Sequence, residues 1–228
     1  MKFAMVNGER KEPAPGLLGS CTGCGSPTIA KCGNIKIHHW AHKSKLECDP
    51  WWKNETEWHR NWKKQFPEAW QEVVNKAENG VFHRADVKTD KNWVLEIQYS
   101  AINPAERTSR NDFYEKLVWI VNGLRRKRDP VQFFHSLKLV KTIEDKVFKK
   151  AFDVISDKNA LLQDWRNDKA PVFFDFNVPD VIWCLLPRNG EGKAVVAEIG
   201  RQAFIDLHLS NSSSPIDIFG ELFEFAAT

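Results

Sequence analysis

The stretch CTGCGSPTIAKCGNIKIHHWAHKSKLEC, residues 21–48, constrains the fold more than any other part of the sequence. It holds four of the five cysteines and combines a C-x2-C pair with three further candidate zinc ligands: Cys21, Cys24, His39, His42 and Cys48. A C-x2-C turn directs two thiolates at one point, and a distant second pair completes the tetrahedron that zinc requires. The sequence shows no signal-peptide pattern, so metal-bound cysteines are expected rather than disulfides.

The pattern predicts a structural zinc site formed by Cys21, Cys24, His42 and Cys48. His39 is an alternative to His42, because the two form an H-x2-H pair, and Cys32 in its KCGN turn is predicted to be a bystander. A small cysteine-rich segment without an apolar core needs such a staple to hold its shape. Four protein ligands close the site, which argues against a zinc-dependent hydrolase.

The length and composition set wider limits. A chain of 228 residues can bury one substantial core and a smaller module. The net charge of +3 neither requires nor excludes a nucleic-acid partner. Because no long uncharged apolar run occurs, we expect a cytoplasmic protein without a membrane partner. The sequence does not indicate the oligomeric state.

An amphipathic helix is predicted after Cys48. Trp58, Trp62 and Phe66 recur every four residues, and Pro67 ends the run. A second line of residues at the same spacing carries functional groups, namely Glu55, His59 and Lys63. Taken alone, this line is also typical of a solvated helix face.

Residues 70–100 predict three strands. Asn79-Gly80 joins the first two as a hairpin in which both turn residues must tolerate positive φ, and TDKN makes the second turn. On the third strand the alternation places one apolar face in the core, formed by Trp93, Leu95, Ile97 and Tyr99. Glu96 and Gln98 lie on the opposite face.

A hairpin centred on Lys91 places Asp86 opposite Glu96. The two Cβ atoms would be about 5 Å apart. Two carboxylates at that distance repel each other unless one is protonated or a cation lies between them. Magnesium prefers one or two carboxylates together with water and phosphate oxygens. The register therefore predicts a site for Mg²⁺ or Mn²⁺.

Seven short motifs occur in an order that resembles the CoiA-like competence protein family: CTGC, HHWAHK with a later Cys, NETEWHRNWK, HRADV, LEIQYS, RNDFY and VWIV. They cover roughly residues 15–125. The resemblance implies an α/β (α+β) protein with a PD-(D/E)XK restriction-endonuclease-like core of α-β-β-β-α-β order. It implies a zinc-ribbon-like module in residues 1–50 and a nuclease core in 51–130. Beyond the resemblance, the helix and strand patterns predict a C-terminal α+β extension in 131–228.

The resemblance also implies roles for individual residues. Glu55 is the acid of the first helix, with His59 and Lys63 beside it, and Asp86 and Glu96 are the strand acids that hold magnesium together with Glu55. Gln98 stands where the wider superfamily most often has lysine. Supporting roles fall to Arg110 and Tyr114, which resemble a Q-x3-Y element with arginine in place of glutamine.

Lysine chemistry distinguishes the two functions that we consider. Gln98 can orient a water molecule but brings no positive charge to the developing phosphorane, a charge that Lys63 could supply. We expect Lys63→Ala to lose more activity than Lys88→Ala. The leading hypothesis is a metal-dependent nuclease that acts on DNA in recombination, DNA uptake or defence. The alternative is a catalytically weak DNA-binding or recombination-assisting protein that retains the fold.

DNA is the expected partner, and proteins of recombination or single-strand handling are further candidates. LRRKRDP carries four consecutive basic residues that are candidates for phosphate contact, although such a run is also typical of a solvated loop: Arg125, Arg126, Lys127 and Arg128.

The C-terminal region predicts a second set of elements. VFKKAFDVISDKNALLQDW has helical spacing, whereas PVFFDF, VIWCLL and KAVVAEI are typical of short strands. Cys184 in VIWCLL is predicted to be buried. SNSSSP is predicted to be a flexible joint before an amphipathic piece, IFGELFEF.

Overall fold

The computed structural model describes residues 1–44, 48–51, 55–142, 148–155, 159–186 and 193–210. The chain is a mixed α+β protein that divides into two units, Met1–Asp90 and Lys91–Thr228. The predicted joint SNSSSP and the piece IFGELFEF lie outside the described residues, apart from Ser210. The division into 1–50, 51–130 and 131–228 stays a prediction.

The first unit begins with a five-stranded antiparallel sheet in the order β2-β1-β3-β4-β5. Its strands are β1 (Ala4–Val6), β2 (Glu9–Lys11), β3 (Leu18–Ser20), β4 (Pro27–Lys31) and β5 (His39–His42). Trp40 on β5 is fully buried and packs with Met1, Ala4, Val6 and Cys21. This core is small, so a metal site at its edge would add the stability that its apolar area lacks.

Helix α1 (Glu57–Lys63) follows the sheet and confirms the predicted amphipathic helix. Thr56 caps its N-terminus by accepting a hydrogen bond from the backbone N–H of His59. Glu55 therefore lies before the helix, not on it. Trp62 is buried, and Phe66 is also buried although it follows the last helical residue.

Two antiparallel strands complete the first unit. A single 3₁₀ turn, Glu68–Trp70, leads into β6 (Gln71–Lys76), which pairs with β7 (Phe82–Lys88). The hairpin at Asn79-Gly80 is confirmed, but its turn is longer than two residues: Ala77 donates to the carbonyl of Val81, and only Gly80 has positive φ. Asn79 instead accepts a hydrogen bond from Val81 N–H through its side chain.

Among its described residues, the second unit contains seven strands in the order β10-β11-β14-β13-β12-β9-β8. They are β8 (Val94–Gln98), β9 (Leu117–Asn122), β10 (Lys138–Thr142), β11 (Phe148–Ile155), β12 (Val172–Asp175), β13 (Val181–Leu186) and β14 (Lys193–Gly200). The helices are α2 (Pro104–Phe113), α3 (Asp129–Ser136), α4 (Ala160–Trp165) and α5 (Arg201–Leu209). β8 and β9 are parallel, as are β9 and β12, so the C-terminal strands extend the same sheet.

Several sequence predictions for this unit are confirmed. PVFFDF, VIWCLL and KAVVAEI form β12, β13 and β14, and Cys184 is fully buried. Burial raises the pKa of the Cys184 thiol. Along the chain, from α1 in the first unit to β9 in the second, the elements follow the predicted order of helix, three strands, helix and strand.

Two predictions are wrong. The segment from Phe148 to Ile155 is the strand β11, not part of a helix, because β10 and β14 pair with it on both sides. Tyr99 lies beyond the end of β8 and is 40% exposed, so it does not anchor that strand in the core. None of the helices that the structure describes has the length and apolar character needed to span a bilayer.

Candidate functional site

The zinc prediction matches the structure residue by residue. Cys21, Cys24, His42 and Cys48 bring their ligand atoms within 4.8 Å of one another. The Cys21 and Cys48 sulfurs are 3.8 Å apart, and His42 Nε2 lies 3.4 Å from the Cys24 sulfur. Three thiolates and one imidazole are a donor set suited to tetrahedral zinc. These four residues could therefore hold a structural zinc ion.

The strand geometry selects His42 over His39. His42 is the last residue of β5, opposite Thr28 of β4, whereas His39 begins the strand opposite Lys31. His39 Nδ1 lies 2.8 Å from the backbone oxygen of Ile37, so its ring is engaged locally. Cys32 also lies outside the cluster, as predicted.

Backbone hydrogen bonds hold the C-x2-C turn of Cys21 and Cys24 in its conformation. Cys21 N–H donates to the Ser26 carbonyl, and Gly25 N–H donates to the Cys21 carbonyl. Gly25 has φ +74°, a left-handed conformation that glycine adopts without strain. The turn therefore presents both thiols on one side.

The surroundings of the thiols affect their ionisation differently. Burial opposes the ionisation of Cys21, but backbone N–H groups of Cys24 and Gly23 and the charge of Arg84 together lower its pKa. Burial and the neighbouring Cys21 raise the pKa of Cys48 to about 12. Without a cation, three thiolates at this distance repel one another, which is the conflict that a bound zinc ion resolves.

Strand β7 connects the Cys/His cluster to Asp49, a buried acid that the sequence reasoning missed. Arg84 on β7 places its guanidinium 3.4 Å from the Cys21 sulfur, and its backbone N–H donates to Asp49. The other Asp49 oxygen lies 2.9 Å from His83 Nδ1. The segment after Cys48 is thereby fixed to the strand that carries Asp86.

A second cluster surrounds Lys63, whose side chain is 1% exposed. Its ammonium group contacts the Glu55 carboxylate and lies 3.2 Å from Glu72 and 3.8 Å from Asp86. Arg60 Nε binds the other Glu55 oxygen at 3.0 Å. Lys63 thus lies among three acids, two of which, Glu55 and Asp86, the sequence predicted as site residues.

Glu72 is the acid that the sequence reasoning missed. Gln71 pairs with Val87 and Val73 with Ala85, so the register places Glu72 level with Asp86. Glu72 also accepts hydrogen bonds from the backbone N–H groups of Lys2 and Phe3. The sequence contained the information needed to find Glu72, because a hairpin centred on Asn79 pairs position 72 with position 86.

Electrostatics keeps this buried acid ionised. Burial opposes the ionisation of Glu72, but the charges of Lys63 and Arg84 hold its pKa well below the usual range. Among the three acids Asp86 is the most accessible, with its side chain 24% exposed against 8% for Glu55 and 4% for Glu72. Asp86 is therefore the member best placed to meet a ligand from solvent.

The predicted residues of the second unit form a different set of contacts. Glu96 on β8 is 2% exposed and forms an ion pair with Arg110 of α2 at 2.5 Å, and Arg110 also binds Glu106. Gln98 is 7% exposed and donates its amide N–H to the Ser100 carbonyl at 2.7 Å. Both faces of β8 are thus buried, whereas we expected one of them to line an open site.

The remaining supporting residues have local contacts. His59 Nδ1 lies 3.2 Å from the Thr56 hydroxyl at the start of α1. Tyr114 is buried and is the C-cap residue directly after α2. Asp86 belongs to the first unit and Glu96 to the second, and their predicted pairing stays a prediction.

Among the described residues, the Cys/His cluster is the group of at least three Cys, His, Asp or Glu side chains whose ligand atoms lie close enough together to hold a metal ion.

The basic run lies before α3 and is partly neutralised by acids. Arg125 and Arg126 both pair with Asp129 and Asp164, and the Arg125 side chain is 6% exposed. Lys127 is exposed, and so is Arg128, which precedes the first residue of α3. Phosphate contact by this run stays a prediction.

The comparison with protein families gives a match in the part of the chain that contains the Cys/His cluster. Residues 20–50 match the family model described as "Competence protein CoiA, N-terminal domain". We refer to residues 20–50, which are similar to that domain, as the CoiA domain. All four residues of the Cys/His cluster fall within the match, which supports the resemblance to the CoiA-like competence protein family. No curated protein and no solved structure gives a significant match to the chain.

Proposed function

We propose that the protein is a metal-dependent nuclease that hydrolyses DNA phosphodiester bonds, with a PD-(D/E)XK-type core behind the CoiA domain. The order of the elements from α1 to β9 supports this proposal, because it is the α-β-β-β-α-β order of that core. The competence link of the CoiA domain supports a role in DNA uptake or recombination. Defence against foreign DNA would use the same reaction.

The observation that carries the proposal is the position of Lys63 beside Asp86. Two buried acids, Glu55 and Glu72, hold the ammonium group within 3.8 Å of the more accessible Asp86. A preorganised cation stabilises the charge that develops on a phosphate under attack. Lys63 would therefore replace the lysine that Gln98 does not provide.

Carboxylates are the protein ligands that magnesium prefers, so the predicted donor set fits the metal chemically. Asp86 and Glu96 would hold the ion, with Glu55 as a further ligand, on the sequence register across Lys91. A bound magnesium ion polarises the scissile phosphate and lowers the pKa of the attacking water. Gln98 would orient that water through its amide oxygen, since its N–H is donated to Ser100.

A second candidate function is a DNA-binding or recombination-assisting protein without efficient turnover. The ion pairs favour it: Lys63 lies where a cation between Glu55 and Asp86 would bind, and Arg110 already neutralises Glu96. Such pairs satisfy the buried acids without a metal ion. In the nuclease, magnesium would have to displace these ion pairs, whereas in the DNA-binding protein the ion pairs would remain.

One assay separates the two functions. Protein loaded with zinc is incubated with linear, circular and single-stranded DNA in Mg²⁺ or Mn²⁺, next to an Asp86→Ala/Glu96→Ala variant. Metal-dependent cleavage that the variant loses supports the nuclease. A gel shift without cleavage, equal in both proteins, would contradict it and support the binding protein.

A further inference from the structure

The distribution of charge singles out the CoiA domain. Residues 13–46 contain no Asp or Glu, although these make up 30 of the 228 residues of the chain. The same segment contains four lysines, at positions 31, 36, 43 and 45. The net charge of the whole chain is +3, so the rest of the chain is slightly acidic. The net positive charge of the chain is thus concentrated in residues 13–46.

The hairpin of β4 and β5 presents much of this charge to solvent. Lys31 ends β4, Lys36 lies in the connecting loop and Lys43 follows β5, and all three are exposed. Within the part of the chain that the structure describes, none of the three has an acidic partner. By contrast, Arg125 and Arg126 of the predicted DNA-binding run are engaged by Asp129 and Asp164.

The zinc site does not cancel this charge. Three thiolates around Zn²⁺ leave one negative charge, and the guanidinium of Arg84 lies 3.4 Å from the Cys21 sulfur. The site lies at the base of the hairpin, where His42 ends β5. The register places Lys43 level with Pro27 at that base and Lys31 opposite His39. Lys31 and Lys43 are therefore about 13 Å apart along the hairpin, and Lys36 lies further along, in the loop.

The loop of the hairpin also exposes an apolar side chain. Ile35 is 98% exposed and stands between Asn34 and Lys36. An isoleucine projected in this way from a basic loop contributes nothing to the core of the module. Isoleucine is among the apolar side chains that proteins insert against bases, as minor-groove binding proteins do between duplex base steps.

Contacts along β5 and at both of its ends fix the backbone of the hairpin strands. Trp40 of β5 is fully buried, and its indole N–H donates to the Lys11 carbonyl at 2.9 Å. Arg60 of α1 donates to the carbonyl of His38, and Lys43 N–H donates to the carbonyl of Pro27. Ordering costs on binding are therefore confined to the loop and the lysine side chains.

We propose that the β4–β5 hairpin binds single-stranded nucleic acid, with Lys31, Lys36 and Lys43 on the phosphates and Ile35 against a base. Single strands are favoured over duplexes because their base faces are open to a side chain such as Ile35 without the cost of unstacking a duplex step. This surface is separate from the proposed cleavage site and does not depend on turnover. The CoiA domain thereby contributes a contact of its own to nucleic acid.

The test measures binding in the absence of magnesium and of chelators, so that cleavage plays no part and zinc is retained. A fluorescein-labelled oligo(dT) and a duplex of the same length are titrated with the full chain, and anisotropy is followed from low to high salt. The variant is Lys31→Ala/Lys36→Ala/Lys43→Ala. The matched control, Lys64→Ala/Lys76→Ala/Lys169→Ala, removes three exposed lysines elsewhere.

The triple hairpin variant should bind oligo(dT) at least tenfold more weakly. The slope of log K against log salt should fall in magnitude by about 2, because each single-strand phosphate contact contributes about 0.7. The control should keep both the affinity and the slope. Ile35→Ser should weaken oligo(dT) binding several-fold with an unchanged slope.

The proposal is overturned if the wild-type protein binds neither probe, or if the hairpin and control variants lose equal affinity. Duplex binding as tight as oligo(dT) binding, together with no effect of Ile35→Ser, overturns the preference for single strands. Zinc content measured on each variant shows whether the module remains folded. If a hairpin variant loses its zinc, the corresponding Lys→Gln variant is measured, and wild-type affinity there overturns the proposal.

Discussion

Lys63 Nζ lies 3.2 Å from the Glu72 carboxylate, although helix α1 carries the lysine and strand β6 carries the acid. Glu72 also binds the backbone of Lys2 and Phe3, so this contact joins three separate segments of the first unit. The same lysine lies 3.8 Å from Asp86. A buried cation therefore organises both the fold of this unit and its candidate site.

The first prediction concerns the loss of this cation. Lys63→Met should lower the free energy of unfolding by about 3–5 kcal/mol, because it removes the ammonium group that the buried carboxylates of Glu55 and Glu72 share. The double variant Lys63→Met/Glu72→Gln should lose less than the sum of the single variants. Urea unfolding followed by tryptophan fluorescence measures both.

The control for this experiment is Lys88→Met, which removes a lysine of β7 that donates to Asn75. It should cost about 1 kcal/mol, the net value of an ordinary hydrogen bond. A Lys63→Met variant no less stable than Lys88→Met would show that the buried ion pairs do not organise the unit.

The second prediction concerns acid stability. The pKa of Glu72 is lower in the folded chain than in the unfolded chain, where it is about 4.3. Its carboxylate therefore contributes stability above that pH, and the contribution is lost as the pH falls through the lower folded value. Glu72→Gln should remove this part of the acid sensitivity, measured as the free energy of unfolding between pH 6 and pH 3. An unchanged pH dependence would contradict the assignment.

The third prediction concerns His208 of α5 in the second unit. Burial lowers the pKa of His208 from 6.5 to about 4, and its Nδ1 lies 2.8 Å from the Phe204 carbonyl. Because the folded chain holds the ring neutral, stability should fall by roughly 3 kcal/mol as the pH drops from 6.5 to 4.

His208→Leu should flatten this slope in a series of unfolding measurements over that pH range. His135→Leu removes an exposed histidine of α3 and serves as the control. If His208→Leu keeps the full wild-type slope, the neutral buried imidazole is not its source.

The fourth prediction concerns zinc. Cys24→Ser and His42→Ala should each reduce bound zinc well below one ion per chain, because each removes a ligand from a closed site. Cys32→Ser and His39→Ala change the same residue types outside the cluster and should keep the full zinc content. Elemental analysis of the purified variants provides the measurement. Loss of zinc from His39→Ala but not from His42→Ala would show that His39 is the ligand and would contradict the assignment.

The zinc site could be predicted because local spacing and ligand chemistry determine it. The C-x2-C turn requires only Gly25 and two backbone hydrogen bonds, all of which lie within the motif. The choice between His42 and His39 was different, because it depends on the register of β5 against β4. That register is a property of the sheet and is not visible in the spacing of the two histidines.

Contacts between distant segments explain what the sequence did not reveal. Alternation on β8 predicted one open face, but Arg110 from α2 neutralises Glu96 and allows it to be buried. The strand β11 looked helical because Ala151 and Val154 are spaced like residues on one helix face, yet pairing with β10 and β14 decided its conformation. Glu72 was visible only through the hairpin register that also fixes Asp86.

The most direct test of the proposed nuclease is the rate of DNA cleavage by Asp86→Asn/Glu96→Gln at saturating magnesium. The control Glu78→Gln/Asp112→Asn removes two exposed carboxylates by the same kind of change. We predict that the first variant loses at least a hundredfold in rate while the control cleaves like the wild-type protein. Wild-type cleavage by Asp86→Asn/Glu96→Gln, or no magnesium-dependent cleavage by the wild-type protein, would contradict the account.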